Sequence, residues 1–199
     1  MTAMGDVLPY RPPKAREETT AYLGMVIFLA SWAMLFAALF FAYGFVRSRS
    51  LVWPPADLPS LPKLLPLVNT IILSLSSVIL QLGARAIGRG AVRQLALSIL
   101  GALLLGALFL GLQIWLWVNL YGQGLRPDTG GPYGSVFYGL TWLHGIHVAV
   151  GLIGLAWVYR RAQIGAFSAA RHLPVRLWAM YWHFVGVVWA LMFVSIFLV

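Results

Sequence analysis

The sequence predicts an all-α integral membrane protein, a bundle of five transmembrane helices, and three observations lead there. Of its 199 residues 61% are hydrophobic and only 10% charged, and the mean hydropathy is +0.84, far from the balance of a soluble domain. Charged residues divide the chain into five long uncharged runs, 19–46, 64–84, 94–125, 129–159 and 177–199. Each run reaches the roughly 20 apolar residues that a helix needs to cross a bilayer. Polar residues do not recur along these runs at the helical period that a soluble amphipathic helix requires. A stretch such as Leu103 to Leu112 is apolar on every side, unlike the alternating pattern of a transmembrane β-strand.

The first run follows Arg11, Lys14, Arg16, Glu17 and Glu18, and it is too long for the apolar core of a cleaved signal peptide. It is expected to remain as a helix over about 21–46, after an N-terminal segment at 1–18. The first loop, Arg47 to Lys63, contains Trp53, Pro54, Pro55, Pro59 and Pro62, so a stiff extended segment is expected, with Trp53 anchoring it at the membrane interface. The second helix, about 64–86, carries Asn69, Thr70, Ser74, Ser76, Ser77 and Gln81, and the third, about 95–121, carries Gln113. Such groups join helices by hydrogen bonds worth about 1 kcal/mol or less each. The fourth helix, about 136–159, holds His144 and His147, and the fifth, about 176–199, holds Tyr181, Trp182, His183 and Trp189. Small residues four apart, as in Ala102 and Gly106 or Gly145 and Ala149, favour close helix packing. No internal repeat or second domain interrupts the five-helix unit at 19–199.

Five spans place the N-terminus and the second and fourth loops on one side. That side holds ten basic residues, among them Arg85, Arg89, Arg93, Arg160, Arg161, Arg171 and Arg176; the other holds four, Arg47, Arg49, Lys63 and Arg126. The bias predicts a cytoplasmic N-terminus and an external C-terminus. A formal charge of +9 spread over short loops beside membrane spans suits topology and anionic lipid head groups, not nucleic acid.

Inside the runs there is no Asp, Glu, Lys or Arg, which argues against a proton-driven transporter or an ion channel. The chain has no cysteine, which excludes disulfides, thiolate metal sites and Cys nucleophiles. His144 and His147 are three apart and share a helix face. Two ligands fall short of the four of a structural zinc site or the three of a catalytic one, so interhelical hydrogen bonds are the expectation. His183 lies about 10 Å into the fifth helix at 1.5 Å per residue, in an aromatic-rich setting where it is expected to bond a neighbour or a lipid. Ser135 lacks the paired base that activates a serine nucleophile. No catalytic or metal-binding residue is expected in this chain.

Several motifs resemble subunit III of cytochrome c oxidases and related haem-copper oxidases, from Tyr22 to the end. The run Tyr181-Trp182-His183-Phe184-Val185-Gly186-Val187-Val188-Trp189 is similar to the family's YWHFVDVVW. Tyr133-Gly134-Ser135, then Leu140-Thr141-Trp142-Leu143-His144-Gly145-Ile146-His147-Val148, resemble its YGS and LTGFHGLHV. Trp53-Pro54-Pro55, the stretch Leu67-Val68-Asn69-Thr70 followed by Ser76-Ser77, and Gln113 in the place of the first residue of QxxEY are further matches in the same order. The number of spans resembles the family's short five-helix form. The family's acidic positions are replaced: Trp32 follows Ser31 where Glu is typical, Leu116 stands in QxxEY, Gly186 stands for Asp, and Arg176 for a Glu upstream of the last helix.

The resemblance implies a subunit with no cofactor of its own, haem and copper being held by partner subunits I and II. It implies bound phospholipid, packing against the catalytic subunit I, protection of the enzyme during turnover, and residence in a bacterial or archaeal cytoplasmic membrane, alone or in a respiratory supercomplex. A catalytic subunit of that family uses six histidines and this chain has four; the copper-A subunit uses cysteines and this chain has none. Residues expected to make lipid or interhelical polar contacts are His183, Trp182, Tyr181, Trp189, Asn69, His144, His147, Gln113 and Trp53. An accessory or assembly protein of a nitric oxide reductase is the alternative, and a small transporter a weaker one. The sequence is silent on the electron donor, the haem type and the lipid bound.

Overall fold

A computed structural model describes residues 14–53, 55 and 58–198. The N-terminal segment expected at 1–18 is thus described only from Lys14, and the Trp53-Pro54-Pro55 motif only at Trp53 and Pro55. The helices are α1 (Lys14–Arg49), α2 (Leu64–Ile87), α3 (Val92–Gly122), α4 (Gly131–Gln163) and α5 (Leu173–Met192), the last continuing as a wider π-helical turn over Phe193–Leu198. All five are long and apolar enough to cross a membrane. They run beyond the uncharged stretches at several ends, α1 starting at Lys14 and α4 ending at Gln163. The reason is that arginine does not break a helix; its aliphatic stem lies along the apolar surface and its guanidinium reaches for the interface. Aromatic rings one turn away hold several of these cations, as Arg49 over Phe45 at 5.1 Å and Arg161 over Trp157 at 5.8 Å.

The helices stop where the backbone can leave the right-handed region. Gly90 (φ +79°) follows α2, and the amide N–H of Ala91 returns to the carbonyl of Ala86. Gly124 (φ +95°) follows α3, and the N–H of Leu125 returns to Leu120. Both are left-handed terminations that glycine accepts without a Cβ clash. They turn α2 directly into α3 and α3 into α4.

Helices α2 to α5 close a ring: α2 packs on α3, α3 on α4, α4 on α5, and α5 returns to α2. Helix α1 stands outside this ring against α4 and α5. Only 6% of its most apolar window is buried, against 50% for those of α4 and α5. Its buried residues are Leu29, Phe36 and Tyr43, seven apart, which form one narrow seam with Trp32 beside it. The remaining face, including Ile27, Met34 and Phe41, is open.

Lipid tails are as apolar as leucine, so burial alone gives these helices little reason to associate, and close packing must do so. The small residues supply it in an unexpected way. The sequence suggested backbones approaching one another, whereas several of the glycine notches receive indole rings. A Cβ on Gly106 of α3 would lie 2.7 Å from the Trp182 ring, and one on Gly151 of α4 2.8 Å from the same ring. A Cβ on Gly145 would meet Trp117 at 2.8 Å, and one on Gly154 would collide with Trp178. Trp182 gains dispersion contact on two sides, and each ring fills a gap that only hydrogen leaves open.

These notches are directly testable. Gly106→Leu should overfill the Trp182 seat and destabilise the protein by about 2 kcal/mol or more, as overpacking does. Gly111→Leu, five residues further along α3 where a Cβ meets nothing within 4 Å, should change stability little. Thermal unfolding of the two variants in mild detergent compares them.

Candidate functional site

Helix α5 is bonded to α2 along one antiparallel line. The indole N–H of Trp182 donates to Ser76 Oγ at 3.0 Å, and Ser76 donates in turn to the carbonyl of Leu73 at 2.7 Å. Trp189 donates to Thr70 Oγ1 at 3.0 Å, and Thr70 to the carbonyl of Pro66 at 2.8 Å. His183 Nε2–H donates to Gln81 Oε1 at 2.9 Å. In each relay a hydroxyl both accepts and donates, so neither partner's polar atom is left facing hydrocarbon. Helix α5 is tied to α4 by the Tyr181 hydroxyl, which donates to the carbonyl of His147 at 3.0 Å.

A second polar layer crosses the bundle between α2, α3 and α4. Asn69 Nδ2 donates to Gln113 Oε1 at 3.3 Å, leaving Asn69 Oδ1 and Gln113 Nε2 without a partner among the described residues. His147 Nδ1–H donates to the carbonyl of Leu143 at 2.6 Å, within its own turn, and its Nε2 has no partner. Both ring nitrogens of His144 are buried and have no partner among the described residues. The two histidines therefore depart from the interhelical hydrogen bonds expected of them. The reason is their enclosure by aromatic rings. His144 faces Trp189 (5.4 Å), Phe109 (6.1 Å) and Phe36 (6.4 Å), and His147 faces Trp32 (4.0 Å) and Phe36 (5.3 Å). Ring edges and faces offer weak electrostatic contact in place of hydrogen bonds. A buried polar atom without a partner costs about 1–3 kcal/mol, so this layer opposes stability where the α2–α5 line supplies it.

Trp32 touches His147 from α1, at the position where the resembling family carries an acid. Together with Phe28 against Tyr181 (6.4 Å) and Phe36, it makes the seam between α1 and the ring aromatic. Trp53 is half-buried and packs edge-on between Tyr43 of α1 (5.8 Å) and Tyr133 of α4 (4.9 Å), fixing the first loop to two helices. Sequence reasoning had singled out the residues of α5 but missed their receptors, Gly151 and Gly154, and the contacts Trp117–Thr141 (3.1 Å) and Tyr138–Leu125 (2.9 Å) that join α3 and its loop to α4. The receptors had a signal: residues 144, 147, 151, 154 and 158 repeat at three and four and so share one face.

Ser76→Ala removes only the acceptor of the Trp182 N–H and should cost about 1–3 kcal/mol, whereas Trp182→Ala removes the ring from both glycine notches and should cost about 3–5 kcal/mol. Denaturant titration of the purified protein separates the two values, and equal losses would contradict the packing role of the ring.

Comparison with known proteins points to one family. The family model described as cytochrome c oxidase subunit III matches residues 16–199. "Cytochrome c oxidase subunit 3" of Thermostichus vulcanus is 34% identical over 179 residues, covering 88% of this chain and 86% of the relative. The protein of the same name in a Synechocystis strain is 38% identical over 184 residues, 88% of this chain and 74% of the relative. "Probable cytochrome c oxidase subunit 3" of Nocardia farcinica is 33% identical over 196 residues, 98% and 96% of the two chains. The match runs through the whole ring of helices and the aromatic seam, and on that ground the chain belongs to the cytochrome c oxidase subunit III family.

Proposed function

We propose that this chain is the haem-free, non-catalytic third subunit of a respiratory haem-copper oxidase. It packs against the catalytic subunit, binds phospholipid, and prolongs the life of the enzyme during turnover. The observation that carries the reading is the α2–α5 line. The residues most like the family's last-helix motif direct their polar atoms to Ser76, Gln81, Thr70 and the His147 carbonyl, holding helices together instead of facing a reactant. Among the described residues no three of His, Cys, Asp and Glu gather as ligands for a metal. The chemistry of oxygen reduction belongs, on this reading, to partner subunits that hold haem and copper. The open face of α1, wide and apolar, is a surface for lipid and for those partners.

The tagged chain, purified from native membranes in mild detergent, should bring down haem together with oxygen-consuming activity. Stripping the chain with harsher detergent should leave the reduced-minus-oxidised haem spectrum and the initial rate near those of the intact complex, while activity decays faster over repeated turnover. A preparation with haem that reduces nitric oxide and not oxygen would assign the chain to a different parent enzyme, and a haem-free one without a large partner would contradict the reading.

The bias of basic residues supports an orientation with the N-terminus in the cytoplasm of a bacterial or archaeal cell. Because the chain has no cysteine, single-cysteine variants report it cleanly. On intact spheroplasts an impermeant maleimide should label Ser50→Cys, in the first loop, and leave Ala169→Cys, in the α4–α5 loop, unlabelled until the membrane is opened. The reverse pattern would invert the topology.

A further inference from the structure

Thr70, Ser74, Ser77 and Gln81 follow one another along α2 at intervals of four, three and four, so they share one face of the helix. That face looks towards α5. Thr70 accepts from Trp189, Gln81 accepts from His183, and a Cβ on Gly186 would lie 3.3 Å from Ser77 Oγ. Ser74 belongs to the same row but is exposed, and its hydroxyl has no hydrogen bond among the described residues. A serine that faces lipid can return its hydroxyl to a carbonyl of its own turn. Ser31 does so on α1, to Phe28, and Ser195 at the end of the chain, to Leu191, whereas Ser74 does not.

The far end of the row also has polar atoms left over. Gln81 and His183 are half-buried. Once His183 Nε2–H has donated to Gln81 Oε1, the two N–H donors of Gln81 Nε2 and the lone pair of His183 Nδ1 remain, without a partner among the described residues. Val187, one turn from His183 on α5, is exposed, so this edge of the bundle is uncovered.

Depth narrows what can answer these groups. In the 24-residue α2, Ser74 lies about 15 Å from Leu64 and about 20 Å from Ile87 at 1.5 Å per residue. Near the middle of a hydrocarbon layer about 30 Å thick there is neither water nor a lipid head group, and acyl chains offer no hydrogen bond. A polar side chain on another transmembrane helix does.

We propose that the Ser74–Gln81 row, together with His183, is the contact for a transmembrane helix of a partner subunit that carries carboxamide or neutral carboxylic-acid side chains seven residues apart. One pairs with Ser74. The other meets Gln81 and His183, because only a group that both accepts and donates answers an N–H donor and a ring lone pair together. Seven residues on α2, about 10.5 Å, separate the two levels, the interval at which packed helices meet again. This rests on the reading of the chain as a packed subunit and gives that packing one defined surface.

The test places benzoylphenylalanine at Val78, exposed and one turn from Ser74, in the tagged chain within its native membranes, then irradiates and sequences the joined peptide. The joined peptide should be a partner transmembrane helix with Asn, Gln, Asp or Glu within one turn of the junction and a second such residue seven away. The same group at Leu104, exposed on α3, should give lipid adducts only. Retention of Ser74→Ala in the complex through a detergent titration should fall about threefold, as loss of one interhelical hydrogen bond predicts, and Ser74→Thr should restore it. Lipid adducts alone at Val78, a partner helix that is apolar at this level, equal protein crosslinking from Leu104, or retention of Ser74→Ala equal to wild type would each overturn the surface. If Val78 gives lipid adducts while benzoylphenylalanine at Met34, on the open face of α1, joins an oxidase subunit, this surface falls and the packing reading stands. If no position joins a protein and no haem copurifies, the packing reading itself falls.

Discussion

The structure depends on where one indole sits. Trp182 of α5 is fully buried, lies against Gly106 of α3 and Gly151 of α4, and bonds Ser76 of α2, so one side chain touches all three other helices of the ring. In a bilayer the separated helices lose little by facing lipid, and the ring forms because this shape fits and its single N–H is answered. Remove the glycines and the ring cannot enter; remove Ser76 and a donor is stranded in hydrocarbon. The other bonds of the α2–α5 line and the Trp178 and Trp117 seats repeat the same device towards either end.

Helix α1 is held differently. Its seam is aromatic, with Trp32 and Phe36 on His147 and Phe28 on Tyr181. Where the family places an acid, Trp32 offers a ring edge, and His147 is left with an unpartnered nitrogen.

Much of this was legible in the sequence, and for identifiable reasons. Charge exclusion from the bilayer is strong, so the spacing of arginines marks five spans directly. Recognition of the last-helix motif and of the paired histidines led to the family. The helix ends were less legible because Arg85, Arg93 and Arg160 lie inside helices while charge counting treats them as boundaries. Tertiary choices were least legible. Nothing in the run around Leu143 says that His147 bonds its own turn, that Gly151 receives Trp182, or that residues 193–198 widen into a π-turn. Those outcomes depend on which ring reaches which gap, a long-range property that local pattern does not contain.

On the proposed reading, the buried polar residues of this chain hold or strain the bundle and take no part in oxygen reduction. His144 decides it, because a buried imidazole with two unanswered nitrogens is both the least explained structurally and the most capable of chemistry. The measurement is oxygen turnover per haem in the complex carrying His144→Leu, with retention of the subunit quantified in the same sample. The account predicts unchanged turnover and a subunit held at least as firmly as in wild type, since an unsatisfied polar group has been exchanged for an apolar one. Reduced turnover with the subunit fully retained would contradict it.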